Sequence, residues 1–369
     1  MKIVILKNNL KDGLLAVQQA VAINPSNLPV LKNVLIKTIG NKVKIATTNL
    51  ELAATKLVSG KIVEEGGLTI PFNTLYNIIN NTNSEKINLE RNNNNLIFKT
   101  DNYEARIQGI KEEEFPIIPP IKTDNYLEIN PVIFKKAVGK VINAAQISEI
   151  KPEISGLLFD YQITLLKLVA TDTFRLAEKI INASQFNSNF NYSFKVIIPL
   201  VTINEIIKVI NNESPLKIYI SDNQILFQSG DLEVISRLID GNYPEYEQIV
   251  PKNFKTELII DRDHLNSAVR LVSTFSGRAN EVNLSLKNDK VMEVYITNQF
   301  LGENNYLIPI KVNGDSFNEI TFNWRYLNDG LKTIDSNNLV LGVNDSAKPV
   351  IIKSADDNSH FYILMPIKN

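Results

Sequence analysis

At 369 residues the chain is too long for one ordinary hydrophobic core, so two or three domains are expected. It has no Cys and only two His, His264 and His360, which excludes disulfide and thiolate chemistry and starves any mechanism that needs a His cluster. With 39 basic against 40 acidic residues, net charge names no nucleic-acid or membrane partner, and only the distribution of charge carries information.

The N-terminal "MKIVILKNN" holds too few apolar residues for a signal-peptide core, and no run approaches the roughly 18 apolar residues of a membrane span. A soluble cytoplasmic protein is the expectation. The first helical pattern is "LKDGLLAVQQAV" from Leu10, followed by the alternating "KVKIAT" and the stretch "ATTNLELAA" (Ala46–Ala54). Pro71 stands where a strand hands over to a second helix, "PFNTLYNII", with Leu75, Ile78 and Ile79 on one face. "INLERNNNNLIFKT" then reads as two strands around a polar turn, and "FPIIPPIKTDNY" (115–126) is a proline-rich connection.

The same order returns. The clearest helix is "FKKAVGKVINAA" (134–145), where Phe134, Ala137, Val138, Val141, Ile142 and Ala145 share a face that excludes Lys135, Lys136 and Lys140. Phe134 stands 124 positions after Leu10, and "ATDTFRLAE" stands 124 positions after "ATTNLELAA". Two unrelated patterns with one offset mark a repeat. Pro199 opens "PLVTINEII", "LKIYISDNQILFQSG" is another strand pair, and "YPEYEQIVPKNFK" (243–255) closes the second pass much as "FPIIPP" closed the first. The third pass holds "LNSAVRLVSTFS" from Leu265, "NWRYLNDGL" and "NLVLGVNDSAKPVIIKS". Helix, strands, helix, strands, written three times, is an α+β architecture of three repeated domains, each with two helices packed on antiparallel sheets. Domains over 1–122, 123–252 and 253–369 are expected.

The words "LPVLKNVLI" (28–36), "EEFPIIP" (113–119), "VATDTFRLA" (169–177), "RLIDGNYPEYEQIVPKN" (237–253) and "YILMPI" (362–367) resemble, in order and spacing, the bacterial DNA polymerase III β subunit family, the sliding clamps. The resemblance runs the whole length. It implies a ring-forming, head-to-tail homodimer around duplex DNA, with helices lining the hole and sheets forming the outer wall. It also implies a processivity factor without catalysis or cofactor, which holds DNA topologically and independently of sequence. The replicative polymerase, the clamp loader, repair polymerases and ligase would dock through short linear motifs in a hydrophobic groove.

Carried over by resemblance, the groove comprises Ile154, Thr171, Thr173, Phe174, Arg175, Leu176, Pro244, Gln248 and Ile249, with Tyr326, Ala347, Pro349, Ile363, Met365, Pro366 and Ile367. The DNA channel would present Lys11, Lys135, Lys136, Lys140, Lys208, Arg270 and Lys332. The dimer interface would join Ala105 and Ile107 to Thr274 and Phe275 of a second chain. The family usually has Gly-His at Thr173-Phe174, Arg at Gln248 and Arg-Lys at Leu200-Val201, so peptide preference and DNA contact are where this chain departs from it.

Two other function classes stay open on the residues alone. Asp172 and Arg175 are an acid and an electrophile that a metal-dependent hydrolase would use; the bland alternative is a turn Asp bonding local N–H groups beside a water-screened Arg on the groove rim. A repeat scaffold that never touches DNA is the other. "DRDH" (261–264) reads as a helix cap before it reads as a metal site, and His360 in "DDNSH" reads as solvated. On the helical segments ten basic residues stand against six acidic ones, an ordinary excess unless ring closure gathers them.

Overall fold

The computed structural model describes residues 1–23, 25 and 28–368. Its six α-helices are α1 (Lys7–Val17), α2 (Phe72–Asn81), α3 (Pro131–Val141), α4 (Leu200–Val209), α5 (Arg262–Val272) and α6 (Trp324–Thr333). α1, α3 and α5 each tighten into a three-residue 3-10 turn, at Gln18–Ala20, Ile142–Ala144 and Ser273–Phe275. In the first two the apolar period outruns the α-helix by one turn, with Ala20 and Ala144 buried, whereas Ser273–Phe275 buries no side chain. α1 buries Leu10, Leu14 and Val17 around Gly13, where a Cβ would strike Ile45 and Val58 of the sheet beneath. α5 is capped by Asp261, whose Oδ1 accepts from His264 N at 2.8 Å, while the His264 ring stays exposed.

The described chain divides into two compact units, and each draws on more than one repeat. The first comprises Met1–Val132, Phe186–Phe190 and Val201–Leu238; the second comprises Ile133–Gln185, Asn191–Leu200 and Ile239 to the C-terminus. The reason lies in the sheets, which run across the repeat boundaries. In the first unit a five-stranded antiparallel sheet takes the order Lys61–Glu64, Lys2–Leu6, Lys86–Asn92, Asn95–Lys99, Glu104–Gln108. A nine-stranded sheet joins the first repeat to the second where Leu52–Ser59 pairs with Leu232–Arg237, Ser236 opposite Leu52. In the second unit a twelve-stranded sheet does the same where Arg175–Asn182 pairs with His360–Leu364, Leu364 opposite Arg175. Both faces of these inner strands carry apolar side chains, such as the fully buried Leu157, Leu158 and Phe159. Each such side chain stabilises the fold by about 1.5–3 kcal/mol.

His360 corrects the sequence reading. It is 4 % exposed, with Nδ1 2.7 Å from the Glu178 carbonyl and Nε2 2.7 Å from the Thr333 hydroxyl. The polar turn before it belongs to the surface, but His360 itself opens a central strand. A carbonyl only accepts, so Nδ1 donates to Glu178, and the single Thr333 hydroxyl proton lies between two acceptors, Nε2 of the neutral ring and the Gly330 carbonyl at 2.7 Å. Burial, with the nearby charges of Lys140 and Lys179, lowers its pKa to about 4. The unfolded chain then binds a proton near pH 6.5, where the folded one does not. Stability is expected to be fully present above pH 6.5 and to fall by about 3 kcal/mol as pH drops toward 4. Urea titrations across pH 4–7 test this, because His360→Gln should flatten that slope; an unchanged slope would refute the assignment.

Candidate functional site

The site is built on the turn between the strands Leu165–Thr171 and Arg175–Asn182. The Thr171 hydroxyl donates to the Arg175 carbonyl at 2.7 Å. Asp172 Oδ1 accepts from the backbone N–H groups of Phe174 and Arg175, both at 3.0 Å, and Oδ2 accepts from Arg175 Nε at 2.9 Å. This closure holds Thr173 at φ 77°, a left-handed conformation that exposes the next side chain. Phe174 is 59 % exposed and stacks on Tyr326, ring centroids 6.5 Å apart. Met365 N donates back to the Phe174 carbonyl at 2.9 Å, so the C-terminal segment lies along the same turn.

Arg175 is not a water-screened rim charge. Its side chain is 10 % exposed, its guanidinium lies 4.2 Å from the Tyr326 ring centroid, and a terminal nitrogen reaches Asp329 at 2.6 Å. Burial opposes the charge, yet the Asp329 and Asp172 carboxylates hold the guanidinium protonated more firmly than usual. Asp172 accordingly spends three hydrogen bonds inside the turn, and with its side chain 3 % exposed it offers little to a substrate. Among the described residues no three His, Asp or Glu side chains come together in a metal-ligating group.

The structure sorts the sixteen groove residues into three depths. Thr173, Phe174, Pro244, Gln248, Ile249 and Ala347 are exposed, while Arg175, Tyr326, Pro349, Met365 and Ile367 are half-buried. Ile154, Thr171, Leu176, Ile363 and Pro366 are buried. Leu176 and Ile363 sit opposite each other in register and pack with Val169, Tyr246 and Ile351, so they form the floor beneath the surface. Pro244, Gln248 and Ile249 come from the segment whose Tyr246 anchors that floor, and Ala347 and Pro349 come from the turn before Val350–Ser354.

Among the helix bases, Lys208, Arg270 and Lys332 are exposed in the last turns of α4, α5 and α6, and Lys11 and Lys135 are half-buried on α1 and α3. Lys140 departs from the channel expectation. Its side chain is 9 % exposed, and its ammonium donates to the Thr333 carbonyl and to Asp335. Burial lowers its pKa. Asp335 also holds Lys136 at 2.9 Å; although its partial burial works the other way, the two lysines draw its pKa down to about 2. One acid thus engages two of the lysines read as channel bases.

Of the interface residues, Ala105 and Ile107 lie on the outermost strand of the five-stranded sheet, Glu104–Gln108. Ile107 is 6 % exposed within its own unit, so it is a core residue as well. Thr274 and Phe275 occupy the 3-10 turn after α5, and the Asn298 side chain donates to the Phe275 carbonyl at 3.1 Å.

Sequence reasoning missed a third copy of the turn. Asn49 Oδ1 accepts from Glu51 N and Leu52 N at 3.0 and 2.8 Å, and Asn298 Oδ1 accepts from Phe300 N and Leu301 N at 2.9 and 3.2 Å. The signal was Thr followed by Asn or Asp, at 48–49, 171–172 and 297–298. The hydrogen bonds align Thr48 with Thr171, so this echo is 123 positions long, one less than the flanking alanines suggest. The first two turns each lead into a strand covered on its far side. The third leads into Gly302–Gly314, which pairs with Val291–Asn298 over Gly302–Pro309 but with Thr256–Asp261 only from Ile310 onward. Among the described residues, the far edge of 302–309 is open, and Phe300 beside it is 95 % exposed.

Three family models match in succession: the DNA polymerase III beta subunit N-terminal domain over residues 1–119, its central domain over 128–245 and its C-terminal domain over 247–368. A beta sliding clamp of Synechococcus elongatus is 26 % identical over 100 % of this chain and 99 % of its own length. One from Staphylococcus aureus is 27 % identical over 94 % of each. The crystal structure of a DNA polymerase sliding clamp from Bacillus subtilis superposes with a TM-score of 0.95 at 22 % identity, covering 100 % of this chain and 99 % of the other. The chain belongs to the DNA polymerase III beta subunit family, the sliding clamps that serve as polymerase processivity factors.

Proposed function

We propose that two copies of this chain close head to tail into a ring around duplex DNA, as a non-catalytic cytoplasmic subunit of the replicative polymerase that needs no cofactor. Domains over 1–122, 123–252 and 253–369 fit this reading. The observation that carries it is the uncovered pair of strands. Glu104–Gln108 and Leu232–Arg237 are the same element of successive repeats, because each precedes an equivalent bridge, Ile110 to Thr69 and Ile239 to Ile197. Ser236 covers Leu52, and Leu52 corresponds to Leu301 through the shared turn. Ile107 of one copy would then face Leu301 of the next, with Ala105 opposite Glu303. Pairing of this kind satisfies both open edges at once.

Within the ring Lys11, Lys135, Lys136, Lys208, Arg270 and Lys332 would meet phosphates without reading bases, which permits sliding. Lys140 is left out because it is buried on Asp335 and Thr333, whereas Lys136, though paired with the same acid, stays exposed. The surface at Phe174 would hold the polymerase, the clamp loader, repair polymerases and ligase by short motifs, so that a tethered polymerase rebinds its primer end before it diffuses away. A hydrolase reading lacks a free acid at Asp172, and a scaffold reading gives no role to the helix bases.

Protein loaded on circular DNA is expected to persist through high salt and to leave once the circle is cut. Leu301→Asp with Phe275→Ala should yield monomers by light scattering and abolish that retention, while Ile107 is best left intact as part of its own core. Tight binding to a short linear duplex, or an intact dimer in the double variant, would overturn the ring.

A further inference from the structure

We infer that the first copy of the turn borders a second docking site, which takes an extended peptide with an aliphatic core and one acidic flank. A cleft of about 300 Å³ opens there, lined by Leu50, Leu52, Pro116, Ile117, Ile118 and Ile235. Its frame repeats that of the Phe174 surface. Leu50 and Thr173 share φ 77° behind the same side-chain-closed turn. Phe115 and Ile118 pack on Ala46 and Leu35 beneath the cleft, as Tyr246 packs on Val169 beneath the other.

Two features point outward to a ligand. Leu50, a bulky side chain in a conformation that L-residues disfavour, is 48 % exposed at the mouth, and Ile117 is 90 % exposed beside it. Such paired apolar groups at a concave opening suit aliphatic anchors of a bound strand.

The charge at the rim selects the flank. The second turn carries Arg175 buried between Asp172 and Asp329, so little of its guanidinium reaches a ligand. Here the base is Arg237, 61 % exposed, with one loose contact at 3.6 Å to the equally exposed Glu51. Most of its donor fork faces water, and that fork matches a carboxylate in two parallel hydrogen bonds. The exposed pair exchanges readily for a better one. A peptide of the type Ser-Leu-Val-Leu-Asp-Ser therefore fits the cleft, whereas the aromatic surface at Phe174 offers it no base. The peptide class, though not the place, rests on the docking role proposed for Phe174.

Fluorescence anisotropy with that labelled hexapeptide and the full-length protein tests the assignment. Ile117→Asp and Arg237→Glu should each weaken binding at least about tenfold, Arg237→Lys less, and Phe174→Asp not at all. Both weakened positions are exposed, and melting curves should be unchanged. The inference fails if no binding is seen up to about 1 mM, or if Ile117→Asp and Arg237→Glu bind as well as the parent. If Phe174→Asp alone removes binding, the peptide uses the other surface and only the second site is refuted. Loss of a Gln-Leu-Phe peptide from the Phe174 surface is a separate measurement, so the two readings fail separately.

Discussion

Removal of the chain from Met365 onward is expected to lower affinity for a short peptide with Gln, Leu and Phe anchors by about 100-fold, with the dimer intact. The strand His360–Leu364 keeps its pairing with Arg175–Asn182 and Val350–Ser354, so the sheet survives the cut. What disappears is the segment that lies along the Phe174 turn, tied there by Met365 N and again by Ile367 N to the Thr321 carbonyl at 2.8 Å. Met365 and Ile367 are half-buried and Pro366 is buried, so a partner loses both a wall and the rigidity of that wall. Buried anchors of this kind commonly carry about 2–4 kcal/mol of binding, which corresponds to the stated factor. Calorimetry decides it, and unchanged affinity would refute the groove. Leu176 is no substitute probe: at 1 % exposure a charge there attacks the core before it attacks the groove.

Arg175→Ala is expected to destabilise the protein by about 3–5 kcal/mol, far beyond the effect of trimming a surface charge. The substitution leaves the Asp172 carboxylate, its side chain 3 % exposed, without its guanidinium, and Asp329 loses the same partner. Tyr326 also loses the cation packed on its face. A variant that changes both Asp172→Asn and Arg175→Met should cost clearly less than the single change, because the most deeply buried carboxylate is then uncharged and only the more accessible Asp329 is left without the guanidinium. Thermal melting of the three proteins tests this. A loss below about 1 kcal/mol for Arg175→Ala would mean that water screens the pair after all.

Asp172 illustrates what was legible and what was not. Its spacing to Phe174 and Arg175 already said that a turn Asp bonds the backbone two and three residues on, and it does. Its spacing said nothing of Asp329, which approaches from 154 positions away along the chain. The same contrast holds for the third turn. Thr297-Asn298 was visible as a pair of letters, but that its following strand lacks a neighbour is a property of the sheet.

By itself the sequence determined the repeat, the six helices with the face each one buries, the backbone closure of the Asp172 turn and the family. These depend on periods of two and 3.6 residues and on short words, which a chain carries locally. Only the tertiary structure decided which polar side chains lose water. His360 meets Glu178 and Thr333, and Lys140 meets Thr333 and Asp335, across 27 to 195 positions of chain. Strand pairing across repeat boundaries brings those partners together, and burial then sets their charge. No local pattern encodes that step, since the free energy of a buried polar group belongs to the partners it finds.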